Sequence, residues 1–318
     1  MARLLELWAP GGGRQRRRRA LSWAALGLLL GLGALTYLPP LLAAYRSHGL
    51  WLQRSSYAEQ PSVRFRHEAL LVALLGGGGF VGWSAFPACN RLLGARLRIP
   101  LLSAAEEDLD RDGLSDVLRL RMELPLLPGE EVVGLQLLLT FSYRLQRMST
   151  FEMQSMALVQ ASSPAPGARV FVSGDLRLLQ RQPLRHTTGL DDNAYNVSVI
   201  NSTSPFAQDY DLTNIVAAYQ ERNVTTVLTG PSPLWSVGRA PSEPFVIQVV
   251  IHYPVEVIAY QPGFWEMIKF AWIQYVSILL IFLWISERIK AFIFQNQVLT
   301  MVPVSQHPAA LAFKEHQS

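Results

Sequence analysis

Four aspartates stand close together in Asp108-Leu109-Asp110-Arg111-Asp112-Gly113-Leu114-Ser115-Asp116, in the pattern D-x-D-x-D-G-x-x-D. Alternating carboxylates at this spacing converge on a hard cation, the glycine permits the sharp turn, and an all-oxygen donor set suits calcium. Asp108, Asp110, Asp112 and Asp116 are therefore the metal-ligand candidates, and a structural calcium ion is the one cofactor these residue types suit. Arg119 stands where an EF-hand carries its bidentate glutamate, so the loop is closer to the short calcium loops of extracellular β-repeat proteins. The competing reading is an acidic turn ahead of a strand at Val117, since Asp and Gly are good turn formers.

Other chemistry is sparse. The sequence holds no His-Glu-x-x-His and no G-x-S-x-G, and its six histidines are scattered. Gly76 to Gly79 form a flexible turn without the Lys-Ser/Thr of a phosphate loop. No catalytic residue, organic cofactor or small-molecule substrate is evident. Modification is better marked: Asn196-Val197-Ser198, Asn201-Ser202-Thr203 and Asn223-Val224-Thr225 are N-glycosylation sequons, used only on the lumenal side of a secretory membrane. Cys89 is the sole cysteine, so no disulfide forms within the chain, and a buried, inert thiol is expected.

All three sequons fall between two apolar stretches. The first runs from Ala20 to Leu38 and the second from Met267 to Ile285. Each approaches the roughly 20 residues that a helix needs to cross about 30 Å of hydrocarbon. A cleaved signal peptide is the alternative for the first, with a basic flank and a passable cleavage site at Leu42-Ala43-Ala44. Its length, however, exceeds the roughly 7–15 residues of a signal-peptide core, which favours an uncleaved anchor. Arg14, Arg16, Arg17, Arg18 and Arg19 precede it, and Arg288 and Lys290 follow the second stretch, so the positive-inside rule puts both termini in the cytosol. Gly27 and Gly31 form a G-x-x-x-G helix-packing candidate, Pro39-Pro40 is expected to end the first helix, and Gln274 has either a local or an interhelical hydrogen bond. The net charge of +4 is smaller than the N-terminal arginine cluster, which marks orientation and attracts anionic lipid rather than nucleic acid. A hydrophobic share of 50% is too low for a many-spanning transporter.

The interval between the helices reads as strands. Ser62–Leu75, Val117–Leu124, Val133–Leu145, Arg169–Leu178, Tyr195–Ile200 and Phe245–Tyr260 alternate or run apolar between Gly and Pro turns, while Asp211–Glu221 is helical with Asp211 or Thr213 as its cap. The expected fold class is membrane-anchored and mainly β, with two transmembrane helices flanking a lumenal or extracellular antiparallel β-sandwich-like domain that carries one short helix. The expected segments are a basic cytosolic N-terminus (1–19), the first helix (20–42), the glycosylated β-domain (43–263), the second helix (264–285) and a cytosolic amphipathic segment and tail (286–318).

Longer collinear segments carry a family resemblance. Leu35–Leu42 followed by Tyr45–Gly49, Tyr195–Asn201, Tyr210–Thr213, Tyr219–Asn223 and Tyr253–Val257 resemble the transmembrane protein 231 family. The strongest segment is Tyr260-Gln261-Pro262-Gly263-Phe264-Trp265-Glu266-Met267, continuing to Phe294-Gln295-Asn296-Gln297. The likeness spans nearly the whole chain and is weakest in the Arg-rich head, at Gly76 to Gly79 and after Pro303.

That resemblance implies a ciliary membrane protein of the tectonic-like (Meckel syndrome) complex at the transition zone. There it would contribute to the barrier against membrane-protein diffusion and so to ciliogenesis and hedgehog signalling. Its implied partners are tectonic, meckelin and B9-domain proteins, together with membrane lipid; no nucleic acid is expected. The resemblance brings no calcium role with it. Two other classes share the architecture: a glycosylated accessory subunit of a membrane transporter, which commonly uses disulfides, and an ectoenzyme with a site assembled only in space.

Overall fold

The computed structural model describes residues 4–8, 17–20, 23–47, 54–148, 150–185, 192–296 and 302–303. Arg14, Arg16 and the tail after Pro303 lie outside the described residues. The chain divides into two compact units, Met1–Leu52 with Gly263–Ser318, and Gln53–Pro262. In chain order, β1 (Leu4–Trp8), β2 (Arg17–Ala20) and α1 (Trp23–Arg46) come first. Then follow β3 (Ser55–Glu59), β4 (Ser62–Leu75), β5 (Phe80–Ser84), α2 (Pro87–Leu93), β6 (Leu101–Glu107), β7 (Val117–Leu124), β8 (Val132–Leu145), β9 (Phe151–Ser162) and β10 (Gly167–Gln180). The remainder is β11 (Leu184–Arg185), β12 (Asp192–Tyr195), α3 (Leu212–Gln220), β13 (Val224–Thr229), β14 (Leu234–Val237), β15 (Phe245–His252), β16 (Glu256–Gln261), α4 (Phe264–Gln295) and β17 (Val302–Pro303).

The larger unit is mainly β. One sheet has the order β12-β9-β8-β4-β5, a second β13-β10-β15-β7-β6 with β14 also on β10, and a third β11-β16-β3. Alternation builds the core. Leu118, Leu120, Met122 and Leu124 of β7 stand opposite Ile251, Val249, Ile247 and Phe245 of β15, so each of these rungs pairs two buried apolar side chains. In the first sheet Leu135, Leu137, Leu139 and Phe141 of β8 oppose Ala73, Leu71, Ala69 and Phe65 of β4. These two sets belong to one hydrophobic cluster. On the other face of the first sheet, Leu70, Leu138 and Met156 join a second cluster with Phe86 and Cys89 near α2 and Ile215 and Tyr219 of α3.

The pairing is not all antiparallel, as the sequence suggested. β10–β15, β11–β16 and β12–β9 are parallel. Parallel neighbours need a long crossover, and the stretch between β10 and β15, which carries α3 and β13, supplies one. A second short helix, α2, starts with Pro87 at its first position. Asp211 caps α3 as expected, accepting from the Thr213 N–H at 3.2 Å. Tyr195–Ile200 is not one strand, because β12 stops at Tyr195. Side chains take the backbone groups beyond it: Arg222 donates to the carbonyls of Tyr195 and Val197, Val199 N–H donates to Gln154 Oε1, and Ser198 Oγ donates to the Ile200 carbonyl.

In the smaller unit β1, β2 and β17 form a three-stranded antiparallel sheet. α1 continues through Pro39 and Pro40 to Arg46 instead of ending at them. The prolines remove the N–H groups that would reach the carbonyls of Leu35 and Thr36, but their fixed φ is compatible with helix and the following Leu-Leu-Ala-Ala run is strongly helix-forming. α4 is one uninterrupted helix of 32 residues, about 48 Å at 1.5 Å per residue, so it outlasts the membrane's hydrocarbon by about 18 Å. The segment after Ile285 therefore begins as its direct continuation.

Candidate functional site

The acidic loop connects β6 to β7 and is exposed. Glu107 O accepts from the Asp116 N–H at 2.9 Å and closes its base. Inside, carboxylates take over the backbone donors. Asp108 accepts from the N–H groups of Arg111 (2.6 Å) and Gly113 (2.9 Å), and Asp116 from that of Leu109 (2.7 Å) and from Gln60 Nε2 (2.7 Å). Arg111 and Gly113 hold φ of 63° and 91°, the left-handed conformations that turn the chain inward. One oxygen each of Asp108, Asp110 and Asp116 lies within 4.8 Å of the others. Asp112 is not among the three; its carboxylate accepts from the Leu114 N–H at 2.7 Å.

Electrostatics separates these groups. The Leu109 N–H, and after it Gln60, hold Asp116 below the usual carboxylate range. The Asp112 N–H pulls Asp110 down, but desolvation and the neighbouring Asp112 and Asp116 charges outweigh it and leave Asp110 raised. Asp110 thus feels the charges of Asp112 and Asp116, and a cation beside it would offset them.

The sequon asparagines Asn196, Asn201 and Asn223 are all exposed, outside strands and helices. Arg222 organises the surroundings of Asn196 and Asn223. Its guanidinium donates to the Gln154 carbonyl at 2.9 Å and stacks over the rings of Tyr195 and Tyr219 at 5.7 and 5.2 Å. Gln154 reaches on to Glu68 Oε2 at 2.9 Å, where Thr140 Oγ1 also donates. Glu68 follows His67, whose φ of 59° marks a bulge in β4.

In the smaller unit Leu32, Thr36, Pro40 and Ala44 are the buried stripe of α1, one residue every four. α4 packs against α1 and buries Ala271 and Ser286. Ser47, just past the end of α1, donates from its Oγ to Gln274 Oε1 of α4 at 2.8 Å, a long-range rather than a local hydrogen bond. A Cβ built on Gly27 or Gly31 meets nothing within 4 Å, so this glycine pair makes no close helix approach, and the described buried residues of α1 are those of the stripe from Leu32 to Ala44. Among the described residues Phe264–Ile293 is long and apolar enough to cross a membrane.

A pair of buried acids was not visible in the sequence. β3–β16 register sets Glu256 directly opposite Glu59, and both are buried. Burial raises the Glu256 carboxyl above its ordinary value of 4.5, and the charge of Arg177 only partly offsets this. A carboxyl raised by folding contributes stability that is complete below pH 4.5 and is lost as pH climbs through the raised value. Glu256→Gln is therefore expected to flatten the decline of melting temperature with rising pH. Parallel melts of variant and wild type between acid and neutral pH check this, and identical slopes would contradict it.

Comparison with known proteins bears on the whole chain. The family profile described as Transmembrane protein 231 matches residues 3–303. The chain is 64% identical over 317 residues to Transmembrane protein 231 of Bos taurus and 63% identical over 317 residues to that of Homo sapiens, covering 99% of both chains in each case. To the Gallus gallus protein of the same name it is 59% identical over 319 residues, covering 98% of this chain and 99% of that one. A mainly β domain, an apolar C-terminal helix and this end-to-end likeness place the chain in the transmembrane protein 231 family.

Proposed function

We propose that this protein is a non-enzymatic structural component of the ciliary transition zone. It spans the membrane twice through α1 and α4, with both termini cytosolic and the glycosylated β-domain lumenal or extracellular. Within the tectonic-like complex, beside tectonic, meckelin and B9-domain proteins, it contributes to the diffusion barrier that controls ciliary membrane composition, and so to ciliogenesis and hedgehog signalling. The observation that carries this reading is family membership over residues 3–303. The physical features agree with it: a barrier component needs an anchor and an interaction surface, and this chain has a long apolar helix and a mainly β domain. Proximity labelling from the C-terminus in ciliated cells tests it. Transition-zone proteins should dominate the labelled set; a set dominated by one many-spanning transporter would favour the accessory-subunit reading instead.

The acidic loop is proposed to hold a structural calcium ion through Asp108, Asp110 and Asp116, with Asp112 shaping the turn. The donor set is all oxygen, with Asp108 and Asp110 exposed and Asp116 half-buried, which fits a weak extracellular site. Calcium at a hundredfold excess over its dissociation constant stabilises the folded state by about 2.7 kcal/mol. The purified chain should melt higher in millimolar calcium than in chelator, and Asp110→Ala should abolish the shift. Superimposed wild-type curves would leave the loop as an acidic turn only.

A further inference from the structure

The outer face of the β12-β9-β8-β4-β5 sheet is only partly covered, and what remains open is a trough of about 930 Å³. That volume lies within the roughly 300–1,000 Å³ of small-molecule sites. Strand register shows how its floor is graded. Leu70, Leu138 and Leu158 form one rung, Val72, Gln136 and Gln160 the next, and Leu74 stands beside Phe80 on the last. The first rung is wholly aliphatic and merges with the buried cluster around Cys89 and Tyr210. The second turns polar. At the third, Arg96 lies over the Phe80 ring at 4.5 Å, and among the described residues no carboxylate comes within salt-bridge distance of it. α3 supplies one wall through Val216 and the end of α2 the other through Leu93. The one acid in the lining, Asp211, is occupied in capping α3.

We infer that this trough binds a single acyl chain with an anionic head, its hydrocarbon along Leu70, Val72 and Leu158 and its head at Arg96. The grading selects that occupant. An aliphatic end, a polar middle and one unpaired cation at the far end match a molecule charged at one end only. An amphipathic helix of a partner would instead call for charges distributed along the rim. Amphiphiles of this kind are at hand for a protein with a membrane-crossing helix.

The test uses the full-length chain in phosphatidylcholine nanodiscs doped with a diazirine derivative of palmitic acid. After irradiation, labelled peptides are mapped by mass spectrometry, with lipid-exposed α4 as the internal standard. Label is expected on peptides of β4 and α3 as well as α4. Arg96→Glu, at an exposed position, should cut the β4 and α3 label about tenfold, the loss of one charged hydrogen bond, and leave α4 label unchanged. Val216→Trp, which fills the trough from α3, should reduce the same peptides. Label confined to α1 and α4, or β4 and α3 label untouched by both substitutions, would overturn the inference.

Discussion

Arg222→Met is expected to cost the β-domain about 3 kcal/mol, in the upper part of the range for single substitutions. The guanidinium is half-buried, and burial lowers its pKa, partly offset by Tyr219 and Tyr195. It still donates to three carbonyls, those of Gln154, Tyr195 and Val197. Methionine keeps much of the stacking surface on Tyr195 and Tyr219 but leaves those acceptors short of a donor. A hydrogen bond to a charged group contributes about 1.5–3 kcal/mol net of water, and the bonds to Tyr195 and Val197 are long at 3.4 and 3.3 Å, so the 2.9 Å bond to Gln154 carries most of the loss. The loss should be local before it is global. Hydrogen exchange in residues 195–200 should accelerate strongly, and the midpoint of denaturant unfolding should fall. An unfolding free energy within about 0.5 kcal/mol of wild type would show that Arg222 is a surface residue in energetic terms.

The largest all-or-none effect concerns topology. With α1 and α4 as two crossings, tags at either end of the chain are expected to be removed by protease added to intact microsomes, while the β-domain survives. At least one of Asn196, Asn201 and Asn223 should carry a glycan, so endoglycosidase should shift the wild-type band, and the triple Asn→Gln variant should not shift. A protected N-terminal tag would refute this topology, and loss of the tag by cleavage near Ala44 would return the stretch from Ala20 to Leu38 to a signal peptide.

Strands with clean alternation were legible in the sequence. Ser62–Leu75 and Val117–Leu124 have the bounds of β4 and β7, and the Asp211 cap set the start of α3. β9 was not legible, because Phe151–Ser162 is rich in Met, Gln and Ala, which favour helix locally. Its place between β8 and β12 decides the matter through tertiary pairing. Parallel pairing was likewise hidden, since strand direction depends on crossovers rather than on periodicity. Pro39-Pro40 misled in the opposite sense, because a local stop signal was overridden within a helix that continues to Arg46. Of the acidic loop, the spacing of Asp108, Asp110 and Asp116 foretold their convergence, but the turn of Asp112 toward the Leu114 N–H is set by backbone geometry. The opposition of Glu59 and Glu256 arises from residues nearly 200 positions apart, and no local pattern announces it.

Passage of a membrane protein into the cilium tests the central claim most directly. In ciliated cells lacking their own protein of this family, a fluorescent plasma-membrane protein should enter the cilium freely, with rapid recovery after the cilium is bleached. Expression of this chain is predicted to concentrate it at the ciliary base, exclude the reporter and slow its recovery. If the chain instead spreads through the secretory and plasma membranes while recovery stays fast, it is not a component of the transition-zone barrier.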